Sequence, residues 1–129
     1  MILADTSVWI EWLNAGRVAP PTETDLLRLA TCGPVVQEVL QGFRPGPVYE
    51  EFRPAFLALP KLGDPLRLDT FLHGAEIYRE GRRRGLTIRS STDCLIAAIA
   101  IENRTPVWHR DRDYTAIAKF TRLELFERK

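Results

Sequence analysis

The sequence predicts an α/β protein with three layers, α/β/α, built around a central, mostly parallel sheet of four to five strands. Short apolar segments alternate with longer amphipathic segments along nearly the whole chain. That alternation is typical of parallel strands joined by crossover helices. The 129 residues are 45% hydrophobic and 27% charged, which is enough for one core without disulfides or a structural metal. Residues 1–129 are therefore expected to form a single domain.

The chain opens with a strand and two helices. "MILA" is a short apolar run that predicts a buried strand, and "DTSVWIEWLNAG" predicts a helix with Thr6 or Ser7 near its cap and Gly16 after its end. "TETDLLRLA" begins with the T-x-x-D pattern of a capping box, which indicates a second, short helix.

The middle of the chain repeats this order. "GPVV" predicts the second strand, and "QEVLQGF" predicts a helix that stops near Gly42. A further helix, ended by Pro60, is predicted by four apolar residues spaced to share one face: Val48, Phe52, Phe56 and Leu59.

The last part of the chain is expected to hold three strands. "PLRL" predicts the third strand, and "DTFLHGAEIYREGRRRG" predicts a helix ended by Gly85. One face of that helix would carry Phe71, Leu72, Ala75 and Tyr78. The segment 91–103 is apolar all round and predicts a buried helix. "VWH" and "RLELF" predict the last two strands, on either side of the small segment "YTAIAKF".

Composition restricts the cellular setting. Cys32 and Cys94 lie in apolar surroundings without metal-ligand spacing, so we expect reduced core residues of a cytoplasmic protein. No signal peptide and no membrane contact are expected, since no apolar run is long enough to cross a bilayer. The net charge is +1, but residues 1–78 carry 6 basic and 10 acidic side chains, against 12 and 7 in residues 79–129. The second part would attract a polyanion.

Acidic residues follow several of the predicted strands. Asp5 follows "MILA", Glu38 comes two residues after "PVV", and Asp111 and Asp113 follow "VWH". Asp93 heads the apolar helix. In parallel α/β folds ligands bind beyond the carboxyl ends of the strands, so these acids are expected at one edge of the sheet.

A cluster of carboxylates needs a cation. Any one of these acids alone is explained as well by helix capping or a surface charge. Asp93 is a redundant cap, however, because Ser90, Ser91 and Thr92 already offer capping hydroxyls. Together the acids would repel one another, and an oxygen-rich site poor in histidine suits Mg²⁺ or Mn²⁺ rather than zinc.

Four segments, in this order and spacing, carry a resemblance to a known family: "LADTSVWIEWL", "PVVQEVLQGF", "RGLTIRSSTDCLIAAIAIEN" and "HRDRDY". Together they resemble the motifs of the PIN-domain family, specifically the VapC-type toxins of bacterial toxin-antitoxin pairs. The resemblance implies a PIN-like nuclease domain and a Mg²⁺-dependent endoribonuclease. It also implies an acidic pocket, which position by position would be Asp5, Glu38, Asp93 and Asp111.

The roles within this pocket follow as expectations. Phosphodiester hydrolysis would use water activated by the metal ion. Asp5 and Asp93 are the first choices as metal ligands, while Glu38 and Asp111 would bind a second ion or orient the attacking water. Asp113 could replace or supplement Asp111, and Tyr114 stands where the family commonly has phenylalanine. The hydroxyls expected to hold the carboxylates in place, or simply to cap helices, belong to Thr6, Ser7 and Thr92.

The resemblance also implies partners. An RNA substrate would meet a basic rim, although the run "GRRRG" is explained equally well as a solvated helix end. The residues expected on that rim are Arg82, Arg83, Arg84, Arg89, Arg110 and Arg112. VapC-like proteins commonly form homodimers, and a VapB-type antitoxin silences them in a higher assembly by placing its tail in the pocket.

Three other functions remain open at this point. A metal-free ribonuclease could use His73 and His109 as acid and base. A non-catalytic PIN-like module could bind RNA or protein without cleaving it. A metal-dependent DNA nuclease would need the same acids as an RNA nuclease.

Overall fold

The computed structural model describes residues 1–14 and 23–127, and this part of the chain folds into parallel strands connected by helices. The strands are β1 (Ile2–Ala4), β2 (Leu29–Cys32), β3 (Lys61–Leu62) and β4 (Val107–Trp108). The helices are α1 (Thr6–Leu13), α2 (Glu23–Arg28), α3 (Gly33–Gln41), α4 (Pro47–Leu57), α5 (Leu68–Arg83), α6 (Ser91–Glu102) and α7 (Arg112–Ala118).

The strands form one sheet in the order β3-β2-β1-β4, and every pair within it is parallel. In β1, Leu3 pairs with Ala30 of β2 on one side and with Val107 of β4 on the other. The chain therefore builds outward from β1 through β2 to β3 and then returns to add β4 on the opposite side of β1. This reversal of strand order lies between β1 and β4, the position at which open α/β sheets bind ligands.

Both faces of the sheet are covered. Every residue of β1 and β2 is buried, and successive side chains of a strand point to opposite faces. Buried side chains on both faces require helices on both faces, which confirms the predicted three layers. Beyond α7, Leu125 forms a parallel bridge to Val107, so the "RLELF" segment adds a minimal fifth strand. The prediction of four to five strands is confirmed.

The helix α6 passes through the interior, as its uninterrupted apolar sequence predicts. Its residues Cys94 and Ile96–Ala100 are all buried. Helix α5 packs closely against it because Gly74 has no side chain, and a Cβ atom there would lie 3.3 Å from the Cα of Leu95. Gly85, at a φ of +73°, ends α5 as predicted, and the Leu86 N–H bonds to the Gly81 carbonyl. This turn fixes where α6 begins.

Two of the predicted strands are wrong. The segment "GPVV" starts α3, with Pro34 in the first turn where its missing N–H is not needed, and the strand is the preceding "LATC" of Leu29–Cys32. The segment "PLRL" is a loop that runs into α5 at Leu68, while the strand lies earlier, at Lys61–Leu62. In both places a short apolar run gave no means of separating strand from helix.

Two predictions about helices also need correction. The cap of α1 is Asp5 rather than Thr6 or Ser7, while Gly16 and Thr22 lie outside the described residues. In α5, Phe71 and Leu72 are 47% and 56% exposed. The buried face carries Thr70, Gly74, Ile77 and Gly81 instead, because close packing against α6 favours small residues.

No helix in the described part of the chain is both long and apolar enough to cross a membrane. The cysteines are free and buried, as the sequence predicts.

Candidate active site

Asp5 and Asp111 are brought together by the reversal of strand order. Asp5 follows β1 directly, and its N–H donates to the Trp108 carbonyl of β4 at 2.9 Å, which extends the ladder by one residue. The chain leaving β4 then passes His109 and Arg110 to Asp111, which caps α7. Two acids more than 100 residues apart in sequence therefore stand at the carboxyl edge of adjacent strands.

Asp5 and Asp93 share one hydrogen-bond donor. The Tyr114 hydroxyl lies 2.7 Å from Oδ1 of Asp5 and 3.2 Å from Oδ1 of Asp93. The tyrosine is fully buried, and burial together with the two acids raises its pKa well above the usual value. It therefore stays protonated and remains a donor at neutral pH. The other oxygen of Asp5, Oδ2, accepts from the Ser7 hydroxyl at 2.8 Å.

Asp93 is not the cap of α6. The Ser90 hydroxyl caps the helix by accepting from the Asp93 N–H, so the Asp93 side chain is free for another purpose. Its Oδ2 is buried and accepts no hydrogen bond from a donor in the described residues. Burial, then the charges of Asp5 and Asp111 and the neighbouring carboxyl of Asp113, raise the Asp93 pKa from 3.8 to about 8. A buried carboxylate with an unpartnered oxygen needs a proton or a cation.

Asp111 and Asp113 complete the cluster but differ in their surroundings. One carboxylate oxygen each from Asp93, Asp111 and Asp113 lie within 4.8 Å of one another. Asp113 is 2% exposed, and its oxygens accept the backbone N–H groups of Arg89 and Ser90 at 2.9–3.1 Å. Asp111 is half-buried, and among the described residues it accepts the Asp113 N–H alone, through Oδ1. Asp113 therefore anchors the segment before α6, while Oδ2 of Asp111 accepts no hydrogen bond from that part of the chain.

Glu38 stands on α3 at the other side of Asp5. The Thr6 hydroxyl donates to its Oε1 at 2.9 Å, and its Oε2 accepts no hydrogen bond from the described residues. Glu38 and Thr92 line the same cavity, but Thr92 makes no side-chain hydrogen bond to any of the acids. Of the three hydroxyls predicted to support carboxylates, Thr6 and Ser7 contact one and Thr92 does not.

The carboxylate oxygens of this cluster are suited to bind a divalent cation. Within residues 1–14 and 23–127, no lysine or arginine side chain forms an ion pair with any of the five acids named above. Carboxylate oxygens that lie close together, with one of them unpartnered and buried, are ligands of the kind that hard cations prefer. Repulsion within the cluster would be relieved by such an ion.

The six predicted rim arginines do not form one group. Arg83 and Arg84 bind Glu80, Arg110 binds Glu11, and Arg82 lies over the Tyr78 ring. Arg89 and Arg112 are exposed, and their side chains make no such contact with the described residues. The clustered run "GRRRG" thus belongs largely to the end of α5, while Arg89 and Arg112 have no such partner within residues 1–14 and 23–127.

The two histidines lie at opposite ends of α6. His73 binds Glu102 near the end of the helix at 2.7 Å, while His109 packs against Tyr114, whose hydroxyl contacts Asp93 near its start. Nine residues of α-helix separate those contacts by roughly 13 Å. Burial lowers the His109 pKa, and its Nδ1 accepts the Asp111 N–H. This geometry speaks against a shared acid-base pair.

The contact of Tyr114 with the acids was not predicted from the sequence. Tyrosine differs from the phenylalanine that is common at this position by its hydroxyl alone, and that hydroxyl was given no role. The sequence indicates this contact through "DRDY", in which Tyr114 comes one residue after Asp113 on a helix that begins beside the acids.

Comparison with known proteins gives a consistent result. Residues 2–120 match the model of the PIN domain. Two relatives are 39% identical over 130 aligned positions, each alignment covering 96% of both chains: a VapC ribonuclease of Mycobacterium bovis and the ribonuclease VapC11 of Mycobacterium tuberculosis.

Solved structures share the fold at low sequence identity. The VapBC2 structure from Rickettsia felis, bound to a promoter DNA fragment, has a TM-score of 0.70 at 16% identity and covers 98% of both chains. VapBC-5 from Mycobacterium tuberculosis has a TM-score of 0.65 at 21% identity and covers 96% of this chain and 95% of its own.

Proposed function

Because this chain belongs to the PIN-domain family, with VapC ribonucleases among its full-length relatives, we propose that its acidic centre cleaves RNA with Mg²⁺ or Mn²⁺ as cofactor. Endoribonuclease activity of a toxin follows from the family relationship. The observation that carries the metal dependence is the unpartnered, buried Oδ2 of Asp93 within a cluster of carboxylates.

Asp5, Asp93 and Asp111 are the residues that would hold the ion. When bound, the ion would acidify water and offset the charge of the phosphate. Ser7 and Tyr114 fix both oxygens of Asp5, and the Ser90 cap leaves Asp93 free. Thr6 holds Glu38 by one oxygen, which leaves the other to accept the proton of the attacking water.

Asp111 is favoured over Asp113 as the fourth acid. The backbone N–H groups of Arg89 and Ser90 occupy both oxygens of Asp113, so its role is to hold the segment that leads into α6. Asp111 is more accessible, and its Oδ2 accepts no hydrogen bond from the residues that the structure describes. Asp113 then acts on Asp93 by positioning the start of its helix.

A VapB-type antitoxin is the proposed inhibitor. A cavity of about 500 Å³ beside the acids is lined by apolar residues of α1, α3 and α4, among them the exposed Ile10, Leu13 and Val48, and by Glu38. An antitoxin segment bound there by apolar contacts would reach Glu38 with a basic side chain. The solved relatives named as VapBC pairs support this assignment.

A homodimer is proposed through α5. Leu68, Phe71 and Leu72 are large apolar side chains near the start of this helix, and they are exposed by between 47% and 72%. Neighbouring apolar side chains at a protein surface commonly mark an interface. Joining two copies through this surface would cover them, and the antitoxin would bind this dimer in a higher assembly.

Cleavage of RNA with and without chelation tests the proposal. Purified protein should cut total RNA in Mg²⁺ or Mn²⁺, stop in EDTA and recover when either ion is restored. Asp93→Asn should be inactive under all these conditions. Cleavage that survives EDTA would contradict the metal dependence and return attention to the histidines.

Two controls address the remaining alternatives. Single-stranded DNA of matching length, cut as fast as RNA, would identify a DNA nuclease of the same metal class. RNA binding without any cleavage by the wild-type chain would identify a non-catalytic module. The intact set of acids argues against that outcome, because a module without catalysis has no use for carboxylates that repel one another.

A further inference from the structure

A second cleft adjoins the acidic centre. It has a volume of about 510 Å³ and is bounded by the segment before α6 and by α7 with its C-cap Lys119. Asp111 and Asp113 form part of its wall, so it opens directly beside the carboxylates described above. We call it the α7 cleft. Its other polar lining residues are Thr87, Arg89, Arg112, Thr115 and Lys119.

The cations of the α7 cleft are unneutralised. Arg89, Arg112 and Lys119 are exposed, and their side chains form no ion pair, hydrogen bond or ring contact in the described parts of the chain. The neighbouring Asp113 does not neutralise them, because its oxygens face backbone N–H groups. By contrast, Arg83 and Arg84 are held by Glu80, and Arg110 by Glu11.

Three cations that line one concave surface and form no ion pair with the described residues make that surface an anion site. Their side chains would be available to oxygens of a bound strand without first breaking an ion pair, and the Thr87 and Thr115 hydroxyls add further donors. The cleft shares Asp111 with the reaction centre. An RNA strand with one phosphate at that centre can therefore place its neighbouring phosphates in the cleft.

We propose that the α7 cleft binds the RNA backbone beside the scissile bond, with Arg89, Arg112 and Lys119 as ligands of the flanking phosphates. This assignment rests on the proposed ribonuclease function and extends it. In this proposal the RNA strand follows the α7 cleft and not a broad basic rim. Arg83, Arg84 and Arg110 then serve in ion pairs within the protein.

Binding measured without cleavage tests the cleft separately from the reaction. The probe is a fluorescein-labelled, single-stranded RNA of random sequence, titrated with the Asp93→Asn chain so that it is not cut. Adding Arg112→Gln and Lys119→Gln should raise Kd about tenfold or more, since each residue would lose a charge-assisted bond to phosphate. The slope of log K against log salt should fall in magnitude by about 1.4, or about 0.7 per lost contact.

The matched control removes the same charge elsewhere. Arg53→Gln with Arg122→Gln neutralises two exposed arginines that make no ion pair in the described structure and do not line the cleft. This pair should change Kd less than about twofold through long-range charge alone. Equal effects of the two pairs on Kd and on the salt slope would overturn the proposal.

Two further outcomes complete the test. If the double variant at Arg112 and Lys119 fails to fold, Arg89→Gln replaces it, because the Arg89 contact with Asp113 uses the backbone N–H and survives. Polyglutamate that displaces the RNA as effectively as unlabelled RNA does would identify an acidic protein segment as the occupant and overturn the proposal. Absence of cleavage by the wild-type chain, with binding in the cleft intact, would count against the ribonuclease function alone.

Discussion

The hydroxyl of Tyr114 lies 2.7 Å from Oδ1 of Asp5, in a position where a phenylalanine would leave that carboxylate oxygen without a donor. The same hydroxyl reaches Asp93 at 3.2 Å. One buried phenol thus links the acid that ends β1 to the acid that heads α6, and it sets their separation before any ion binds.

Tyr114→Phe should weaken the metal-free protein and spare much of the activity. Loss of the bridging donor removes a hydrogen bond to a charged group, so the free energy of unfolding should fall by about 1–3 kcal/mol. The aromatic ring still fills its place in the core. Urea denaturation in EDTA measures the loss, and repetition in Mg²⁺ should recover part of it, since the cation takes over the attraction between Asp5 and Asp93. Equal stability of the two proteins in EDTA would show that the Tyr114 hydroxyl does not stabilise the fold by linking the two acids.

Asp93→Asn should change how stability depends on pH when metal is absent. The Asp93 pKa is 3.8 in a model peptide and about 8 in the folded chain, so between these values the folded protein holds a proton that the unfolded chain releases. Stability must then decline as pH rises from about 4 to about 8.

The asparagine variant lacks this decline. In EDTA its melting temperature should exceed that of the wild type near pH 8, and the difference should shrink towards pH 4. The wild type should bind Mg²⁺ or Mn²⁺ more tightly as the pH rises over the same range, because the ion displaces the proton. Parallel pH profiles of the two melting temperatures would be incompatible with a protonated Asp93.

Asp111→Asn and Asp113→Asn form a matched pair of variants. They test which of the two acids is needed for cleavage and which one stabilises the fold. Asparagine is as good a helix cap as aspartate, so Asp111→Asn should keep the α7 start and the melting temperature while cleavage is lost. Asp113→Asn leaves one acceptor oxygen for the two backbone N–H groups of Arg89 and Ser90 and should cost about 1–3 kcal/mol of stability. Thermal melting and a cleavage assay on both variants check the division. A destabilised Asp111→Asn with a stable Asp113→Asn would reverse the two roles.

Phe71→Ser with Leu72→Ser should convert a dimer into a monomer without unfolding the chain. Both side chains are largely exposed in the single chain, so their loss costs the fold little. Light scattering after gel filtration measures the mass. Leu27→Ser, at a residue of α2 that is 85% exposed, is the control and should leave the dimer intact. A wild-type chain that is already monomeric would exclude the α5 interface.

The class of fold and the free, buried cysteines were predicted correctly from the sequence. Apolar runs and glycine or proline stops identified the helices α5 and α6, because long elements carry their period over several turns. The short elements "GPVV" and "PLRL" were assigned wrongly, since four residues do not distinguish a strand from the first turn of a helix. The end of the true strand at Cys32 depends on pairing with β1 and β3, which are distant in sequence.

The surroundings of each acid are decided by the tertiary structure. Asp111 and Asp113 are two residues apart and chemically alike, yet only the fold directs one towards backbone N–H groups and leaves the other free. Likewise, only packing separates Arg89 and Arg112 from the arginines held by Glu80 and Glu11. Residue type determines what a side chain can bind, while contacts between residues distant in sequence determine which partners surround it. For that reason the sequence predicted which acids would lie near the edge of the sheet but not which hydrogen bonds each of them would make.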